Sequence, residues 1–138
     1  MLNKKVYIAE DQLIVALDIQ KTLKRVCCDD IFMFRNFQSL FKAALSAPPD
    51  LIIMELEMND DKNFSKSIET LTAEYHIPFL LLSSYTSEDI QGRVNIPGCT
   101  ILSKPYNSDD LVKALVDILN LSISDLNRDS QQFPDFNN

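Results

Sequence analysis

Histidine, cysteine and tryptophan are scarce in this sequence, and their scarcity limits the chemistry it can perform. The 138 residues include one histidine, three cysteines and no tryptophan. His76 lies in a predicted helix-to-strand connection, where we interpret it as structural rather than as part of a Ser-His-Asp site. Cys27, Cys28 and Cys99 are odd in number and lack metal-ligand spacing, which favours a reducing compartment. We interpret the neighbouring pair as core-filling side chains.

Basic residues are outnumbered, and long apolar runs are absent. The chain has 13 basic and 20 acidic residues, a net charge of −7, and an isoelectric point near 4.6. This charge is unfavourable for binding nucleic acid or an anionic membrane surface. The longest apolar runs, such as 79–82, are far shorter than the roughly 20 residues of a membrane-spanning helix, and the beginning of the sequence lacks a signal-peptide pattern. We therefore predict a cytoplasmic protein.

The overall composition is that of a globular domain. Hydrophobic residues make up 46% of the chain and charged residues 24%, as in ordinary folded domains. A chain of this length buries about two-thirds of its unfolded surface, so its core needs no disulfide or metal. We predict one domain over residues 1–123, followed by a polar tail over 124–138 that has no periodicity.

Short apolar runs alternate with longer segments of helical period. The runs are almost continuously apolar, which is typical of strands buried on both faces of a parallel sheet. The predicted fold class is therefore α/β, a flavodoxin-like, doubly wound parallel sheet in the order 2-1-3-4-5 with helices on both faces. The predicted strands are residues 6–9, 31–34, 51–54, 79–82 and 100–102.

The segments between the runs predict helices. Two of them have a clear apolar face, formed by Ala16, Ile19, Leu23 and Val26 in the helix 12–26 and by Phe64, Ile68, Leu71 and Tyr75 in a helix that begins near 60–61. The other predicted helices are 38–46, 87–94, and one from 107 or 108 to about 122.

Polar residues follow the predicted strands where each strand ends. Glu10 and Asp11 follow the first strand, Glu55 the third, Ser83 the fourth and Lys104 the fifth. Parallel strands end at one edge of the sheet, so these side chains are predicted to meet there. Clustered carboxylates repel each other unless a cation neutralises them, and Mg²⁺ prefers such oxygen ligands. The alternative interpretation is that strand ends entering solvent are often polar without a specific role.

Four segments in chain order resemble the response-regulator receiver domain of two-component signalling. The resemblance covers about residues 4–121. The segments are Ala9-Glu10-Asp11, residues 50–58 (DLIIMELEM), residues 77–84 (IPFLLLSS) and residues 102–106 (LSKPY).

This resemblance implies a role for each of the polar residues. It implies that Glu10 and Asp11 are the acidic magnesium pair, and that Ser83 is the hydroxyl that binds a phosphoryl group. Lys104 would be the lysine paired with the phosphorylation site, before a peptide bond that is commonly cis in this family. Glu55 and the backbone carbonyl of Glu57 would complete the metal ligands.

The sequence departs from the family at the phosphate-accepting position, where Glu55 replaces aspartate. The additional methylene moves the carboxylate outward, whereas in-line phosphoryl transfer needs accurate placement of the nucleophile. We therefore expect Glu55 to be a poor acceptor, although a receiver phosphorylated on Glu55 is an alternative. The longer side chain also carries negative charge toward the place of a phosphoryl group, so it is expected to imitate the phosphorylated state in part.

Two further departures concern switching. Asn59 stands where the family often has proline, and Ile101 occupies the usual aromatic switch position. An isoleucine has no ring to rotate inward behind Ser83. We therefore predict a stand-alone, atypical receiver whose output is set by binding a partner protein, such as a histidine kinase or a downstream effector.

The last predicted helix has a wide apolar arc that is a candidate interaction surface. This arc and its neighbours predict an interface or homodimer through the helix 87–94, the fifth strand and the last helix. The alternative is that Phe133 and Phe136 of the tail cover the arc, or that its edge is simply left exposed. The predicted switch and interface residues are Ile101, Tyr106, Val112, Val116 and Leu119.

Two other functions use the same fold class. A flavodoxin-like FMN electron carrier shares the sheet order, but the residues after the first strand are Glu10-Asp11-Gln12 rather than a Gly, Ser or Thr phosphate cradle. A magnesium-dependent phosphohydrolase would need Glu55 as nucleophile, and glutamate is a rare phosphoryl acceptor. We expect no enzymatic activity.

Overall fold

The computed structural model describes residues 4–26, 30–56, 64–84 and 97–120. The predicted helix 87–94, the tail, Cys27, Cys28 and Asn59 lie outside these residues. The described elements, in chain order, are β1 (Lys5–Ala9), α1 (Leu13–Arg25), β2 (Asp30–Phe34), α2 (Phe37–Ser46), β3 (Leu51–Glu55), α3 (Phe64–Ala73), β4 (Phe79–Ser83), β5 (Cys99–Ser103) and α4 (Ser108–Leu119).

The strands form one sheet in the order β2-β1-β3-β4-β5, and all neighbouring pairs are parallel. This confirms the predicted fold class, strand number and strand order. In the register of the central strands, Ile8 of β1 lies beside Met33 of β2 and Ile53 of β3. The carboxyl ends of the five strands therefore meet at one edge of the sheet.

The core has two layers, one on each face of the sheet. On one face, Tyr7, Ile52 and Phe79 belong to a buried cluster that includes side chains of α2 and α3. On the other face, Ile8 and Ile53 belong to a cluster that includes side chains of α1 and α4. The two clusters alternate along each central strand, because successive side chains of a strand point to opposite faces.

The prediction that every strand is buried on both faces is wrong for the two edge strands. Almost every residue of β1, β3 and β4 is buried, but β2 and β5 contain only exposed and half-buried residues. Phe32 and Met33 of β2 are 44% and 40% exposed. An edge strand has a neighbour on one side only, so apolar residues there do not guarantee burial.

The predicted apolar face of α1 is confirmed, since Ala16, Ile19, Leu23 and Val26 are all buried. Two helix ends differ from prediction. Tyr75, placed on the face of the third helix, is exposed and lies beyond the end of α3. The chain turns there through His76, which has a positive φ of 56°. The last helix ends at Leu119 rather than near 122, because Asn120 adopts the left-handed conformation.

None of the described helices is both long enough and apolar enough to cross a membrane.

Candidate functional site

Three carboxylates lie together at the carboxyl edge of the sheet. Glu10 directly follows β1, Asp11 is next in the chain, and Glu55 is the last residue of β3. One carboxylate oxygen from each of the three lies within 4.8 Å of the others. The neighbouring positions of β1 and β3 in the sheet bring these residues together across a sequence separation of more than forty residues. The fourth predicted metal ligand, Glu57, lies outside the described residues.

Glu10 is the most buried member of this acidic cluster, with 6% of its surface exposed. Its backbone N–H donates to the carbonyl of Phe34, and its Oε1 accepts a hydrogen bond of 3.0 Å from the N–H of Gln12. Burial raises the pKa of the Glu10 carboxyl, and its neighbour Asp11 raises it further, although the Gln12 hydrogen bond and Lys104 act in the opposite direction. Added positive charge at this cluster would therefore be stabilising.

Lys104 supplies a positive charge directly to Glu55. Its Nζ forms an ion pair with Oε1 of Glu55, and both side chains are partly shielded from solvent. Lys104 follows β5 and precedes a cis peptide bond to Pro105. Its backbone N–H donates to the carbonyl of Ser83 at 2.7 Å, which continues the pairing of β4 and β5 beyond the end of the strands.

Ser83, the last residue of β4, and Ser84, which follows it, lie in different environments. Ser83 has no exposed surface, whereas Ser84 is exposed. Ser83 lies beside Ser103 in the register of the sheet. Ser83, the predicted phosphoryl-binding hydroxyl residue, thus lies at the same carboxyl edge of the sheet as Lys104.

A cavity of about 610 Å³ lies beside the ion pair, and its lining includes Asp18, which the sequence did not indicate, and Tyr106, which was predicted as an interface residue. Asp18 of α1 and Tyr106 face it, and the pKa of Tyr106 is raised by burial, then by Asp18 and Glu10. Asp18 lies in the second turn of α1, where its sequence context is that of an ordinary exposed residue of an amphipathic helix. The full lining consists of Ile14, Val15, Asp18, Ser84, Lys104, Pro105 and Tyr106.

The N-terminal half of α1, next to this cavity, exposes large apolar side chains. Leu13, Ile14 and Leu17 are 66%, 84% and 46% exposed. The predicted interface residues on β5, on α4 and in the connection between them are less exposed. Ile101, Tyr106, Val112, Val116 and Leu119 are all half-buried.

The turn between β1 and α1 does not form an open phosphate cradle. The N–H of Gln12 already donates to the Glu10 carboxylate, so it is not available to a phosphate group. The carboxylates of Glu10 and Asp11 would also repel a phosphate at this turn. This geometry is unfavourable for the phosphate of a flavin nucleotide.

Comparison with known proteins gives a likeness in structure alone. No protein-family model matches the sequence, and no curated protein matches it significantly. A response regulator receiver protein from Sinorhizobium medicae has a TM-score of 0.73 at 18% identity, over 86% of this chain and 95% of that chain. The signal receiver domain of a modulated diguanylate cyclase from Desulfovibrio desulfuricans has a TM-score of 0.68 at 22% identity, over 86% and 95%.

The response regulator PhyR from Brucella abortus is also similar, with a TM-score of 0.67 and 18% identity over 86% of this chain and 48% of that chain. This chain therefore spans about half the length of that regulator. Together with the strand order, these likenesses identify the fold as that of response-regulator receiver domains. The predicted resemblance is confirmed at the level of the fold.

Proposed function

We propose that this protein is a receiver-like signalling module that acts by binding a partner protein, with Glu55 at the position of the phosphate-accepting aspartate. The observation that carries the proposal is the ion pair between Lys104 and Glu55 at the carboxyl edge of a receiver fold. In this proposal Lys104 stays paired with the Glu55 carboxylate, whereas in a phosphorylated receiver the acceptor carboxylate gains and loses a phosphoryl group.

The length of the Glu55 side chain supports a mimic rather than an acceptor. A glutamate carries its carboxylate one carbon–carbon bond farther from β3 than an aspartate does, which displaces the oxygen from the position needed for in-line attack. The same displacement brings negative charge to Lys104. A carboxylate has one charge, whereas a phosphoryl group has nearly two, so the imitation is partial.

The acidic cluster offers three oxygen ligands of the kind found in Mg²⁺ sites. Glu10, Asp11 and Glu55 each offer one oxygen within 4.8 Å of the others, and carboxylate oxygens are the ligands that this ion prefers. These three residues would hold the ion, which would supply positive charge to offset their mutual repulsion. Lys104 already neutralises part of that charge, so we expect weak binding.

The exposed apolar residues support protein binding as the output. Leu13, Ile14 and Leu17 lie on α1 beside the cavity, and exposed apolar side chains that cluster beside a functional site are typical of interaction surfaces. A histidine kinase or a downstream effector is the proposed partner. Binding, not catalysis, is the proposed activity.

Phosphorylation by a small donor tests the acceptor position directly. Wild type, Glu55→Asp and Glu55→Gln are incubated with acetyl phosphate and Mg²⁺, and intact mass is measured over time. We expect the phosphoryl mass only on Glu55→Asp, because the shorter carboxylate restores the attacking geometry while Ser83 and Lys104 remain in place.

Glu55→Gln is the matched control, since it keeps the side-chain length and removes the nucleophile. Efficient labelling of wild type at Glu55 would show a working acceptor and would contradict the mimic. Failure of Glu55→Asp to gain phosphate, with the fold intact by circular dichroism, would contradict the receiver function of the site.

A further inference from the structure

The edge of the sheet at β2 is unusually apolar for an edge strand. Phe32 and Met33 are both more than a third exposed, and they lie on opposite faces because strand side chains alternate. Within the described ranges, β1 is the only strand that pairs with β2. Edge strands commonly carry charge or proline that prevents pairing, whereas the one charged residue of β2 is Asp30 at its first position and residues 31–34 are all apolar.

The opposite edge of the same sheet has a different character. The exposed residues of β5 are Thr100 and Ser103, which both carry hydroxyl groups, and its apolar residues are half-buried. The exposed apolar edge is therefore a property of β2 and not a general property of the two edge strands.

The backbone of β2 also offers hydrogen bonds outward. The carbonyl of Phe34 accepts from the N–H of Glu10, so the polar backbone groups of Phe34 face β1. The N–H and C=O of one strand residue point to the same side, and this side alternates along the strand. The backbone groups of Ile31 and Met33 consequently point away from the sheet.

We propose that β2 pairs with β2 of a second copy of this chain, antiparallel about a two-fold axis at Phe32, and joins the two sheets into one. A two-fold axis perpendicular to the sheet sets Ile31 opposite Met33 of the second copy. It also sets Phe32 opposite Phe32 of the second copy. The outward backbone groups of Ile31 and Met33 then pair with each other, which gives about four hydrogen bonds between the chains.

Charge favours the antiparallel direction. The strand begins at Asp30, and Arg35 directly follows its last residue. With Phe32 opposite Phe32, antiparallel pairing sets Asp30 opposite Phe34 of the second copy and keeps the two Asp30 carboxylates at opposite ends of the ladder. Parallel pairing would instead bring like charges together, which is destabilising. The central contacts are Phe32 against Phe32 and Ile31 against Met33, which are favourable cross-strand pairs.

Sedimentation of the full chain over a range of concentrations tests this dimer. Wild type is expected to change from monomer to dimer as concentration rises. Met33→Lys, which places an ammonium opposite Ile31 of the second copy, is expected to raise the dissociation constant at least about tenfold. Thr100→Lys is the matched control, an exposed residue on the other edge strand, and is expected to leave the constant unchanged.

A wild type that stays monomeric throughout would overturn the proposal, and so would a dimer that Thr100→Lys disrupts and Met33→Lys does not. The latter result would place the interface at β5.

Cross-linking tests the register independently of Met33→Lys. In a background of Cys27→Ser, Cys28→Ser and Cys99→Ala, Phe32→Cys is oxidised mildly and compared with Thr100→Cys. In the proposed register, residue 32 of one copy and residue 32 of the other form a non-hydrogen-bonded pair, whose Cα atoms are about 4.5 Å apart. A disulfide can span this distance. We expect disulfide-linked dimer to form at least tenfold faster for Phe32→Cys, whereas equal rates for the two variants would overturn the register.

Discussion

Cys99, the first residue of β5, shows how burial changes the chemistry of a single side chain. The thiol is half-buried, and burial raises its pKa from 9.0 to about 11. A thiolate has a charge that needs solvation, so the buried group keeps its proton. Because the thiolate is the nucleophile, Cys99 is expected to be an inert residue at neutral pH.

We predict that Cys99 reacts slowly with iodoacetamide in the folded protein. In a Cys27→Ser, Cys28→Ser background at pH 8, a pKa near 11 leaves about one thiol in a thousand ionised, roughly a hundredfold fewer than a pKa of 9 does. The rate is expected to rise about tenfold for each pH unit until the pH approaches 11. Mass spectrometry of the alkylated protein measures it.

The urea-unfolded chain is the control, and it should react with a midpoint near pH 9.0. The raised pKa of Cys99 also makes the free energy of unfolding depend on pH. The unfolded thiol releases its proton first, so the folded state loses stability as pH rises from 9.0 through about 11. A folded-state midpoint at 9.0 would contradict the effect of burial.

Sequence alone indicated some site residues and missed others for a physical reason. Glu10, Glu55 and Lys104 each follow or end an apolar strand, where a charged residue interrupts a clear pattern. Asp18 is not marked in this way, because its position depends on how α1 packs over the strand ends. Tyr106 was predicted as an interface residue, and the structure also places it in the lining of the cavity.

The last described helix, α4, begins with a complete capping box. Asn107 precedes it, and the Asn107 side chain accepts from the N–H of Asp110 at 2.8 Å, while the Asp110 carboxylate accepts from the N–H of Asn107 at 3.1 Å. This capping box satisfies backbone groups that the helix cannot satisfy itself. It also fixes the beginning of α4 shortly after Lys104.

We predict that Asn107→Ala lowers the free energy of unfolding by about 1 kcal/mol, because the N–H of Asp110 loses its acceptor. Urea unfolding followed by circular dichroism measures the change, with an unaltered denaturant slope. Asn107→Ser is the control, since serine also caps helices, and it should cost much less. Equal losses for the two variants would show that the cap contributes little.

The strands and helices were predictable where the hydrophobic pattern of the sequence ends at the same residue as the element itself. Each strand is an apolar run, and every predicted run became a strand. Tyr75 was misplaced because helical spacing continues in the sequence after α3 has ended at Ala73, before the turn at His76. The exposure of Phe32 could not be predicted either, since hydrophobicity does not specify which strand lies at an edge.

At the scale of the whole molecule, the fold concentrates negative charge at one edge. The chain carries a net charge of −7, and Glu10, Asp11 and Glu55 meet at the carboxyl ends of the central strands. A cation that binds only the folded arrangement stabilises the entire domain, because the unfolded chain does not bring these residues together.

We predict that Mg²⁺ raises the melting temperature. A concentration ten times the dissociation constant contributes about 1.4 kcal/mol to the free energy of unfolding. Differential scanning calorimetry with and without Mg²⁺, and again after chelation, measures the shift at constant ionic strength. Glu10→Gln keeps the acceptor for the Gln12 N–H but removes one charge, so it should reduce the shift. An equal shift in that variant would place the ion elsewhere.

The backbone bond from Lys104 to Ser83 has a consequence for the charged pair. It makes the residue that carries the ammonium an extension of the β4–β5 ladder, so the position of the ammonium depends on the torsions of one side chain rather than on a loop. A molecule that competes for Glu55 would therefore displace the ammonium through a change of the Lys104 side-chain torsions, without movement of the backbone that carries it.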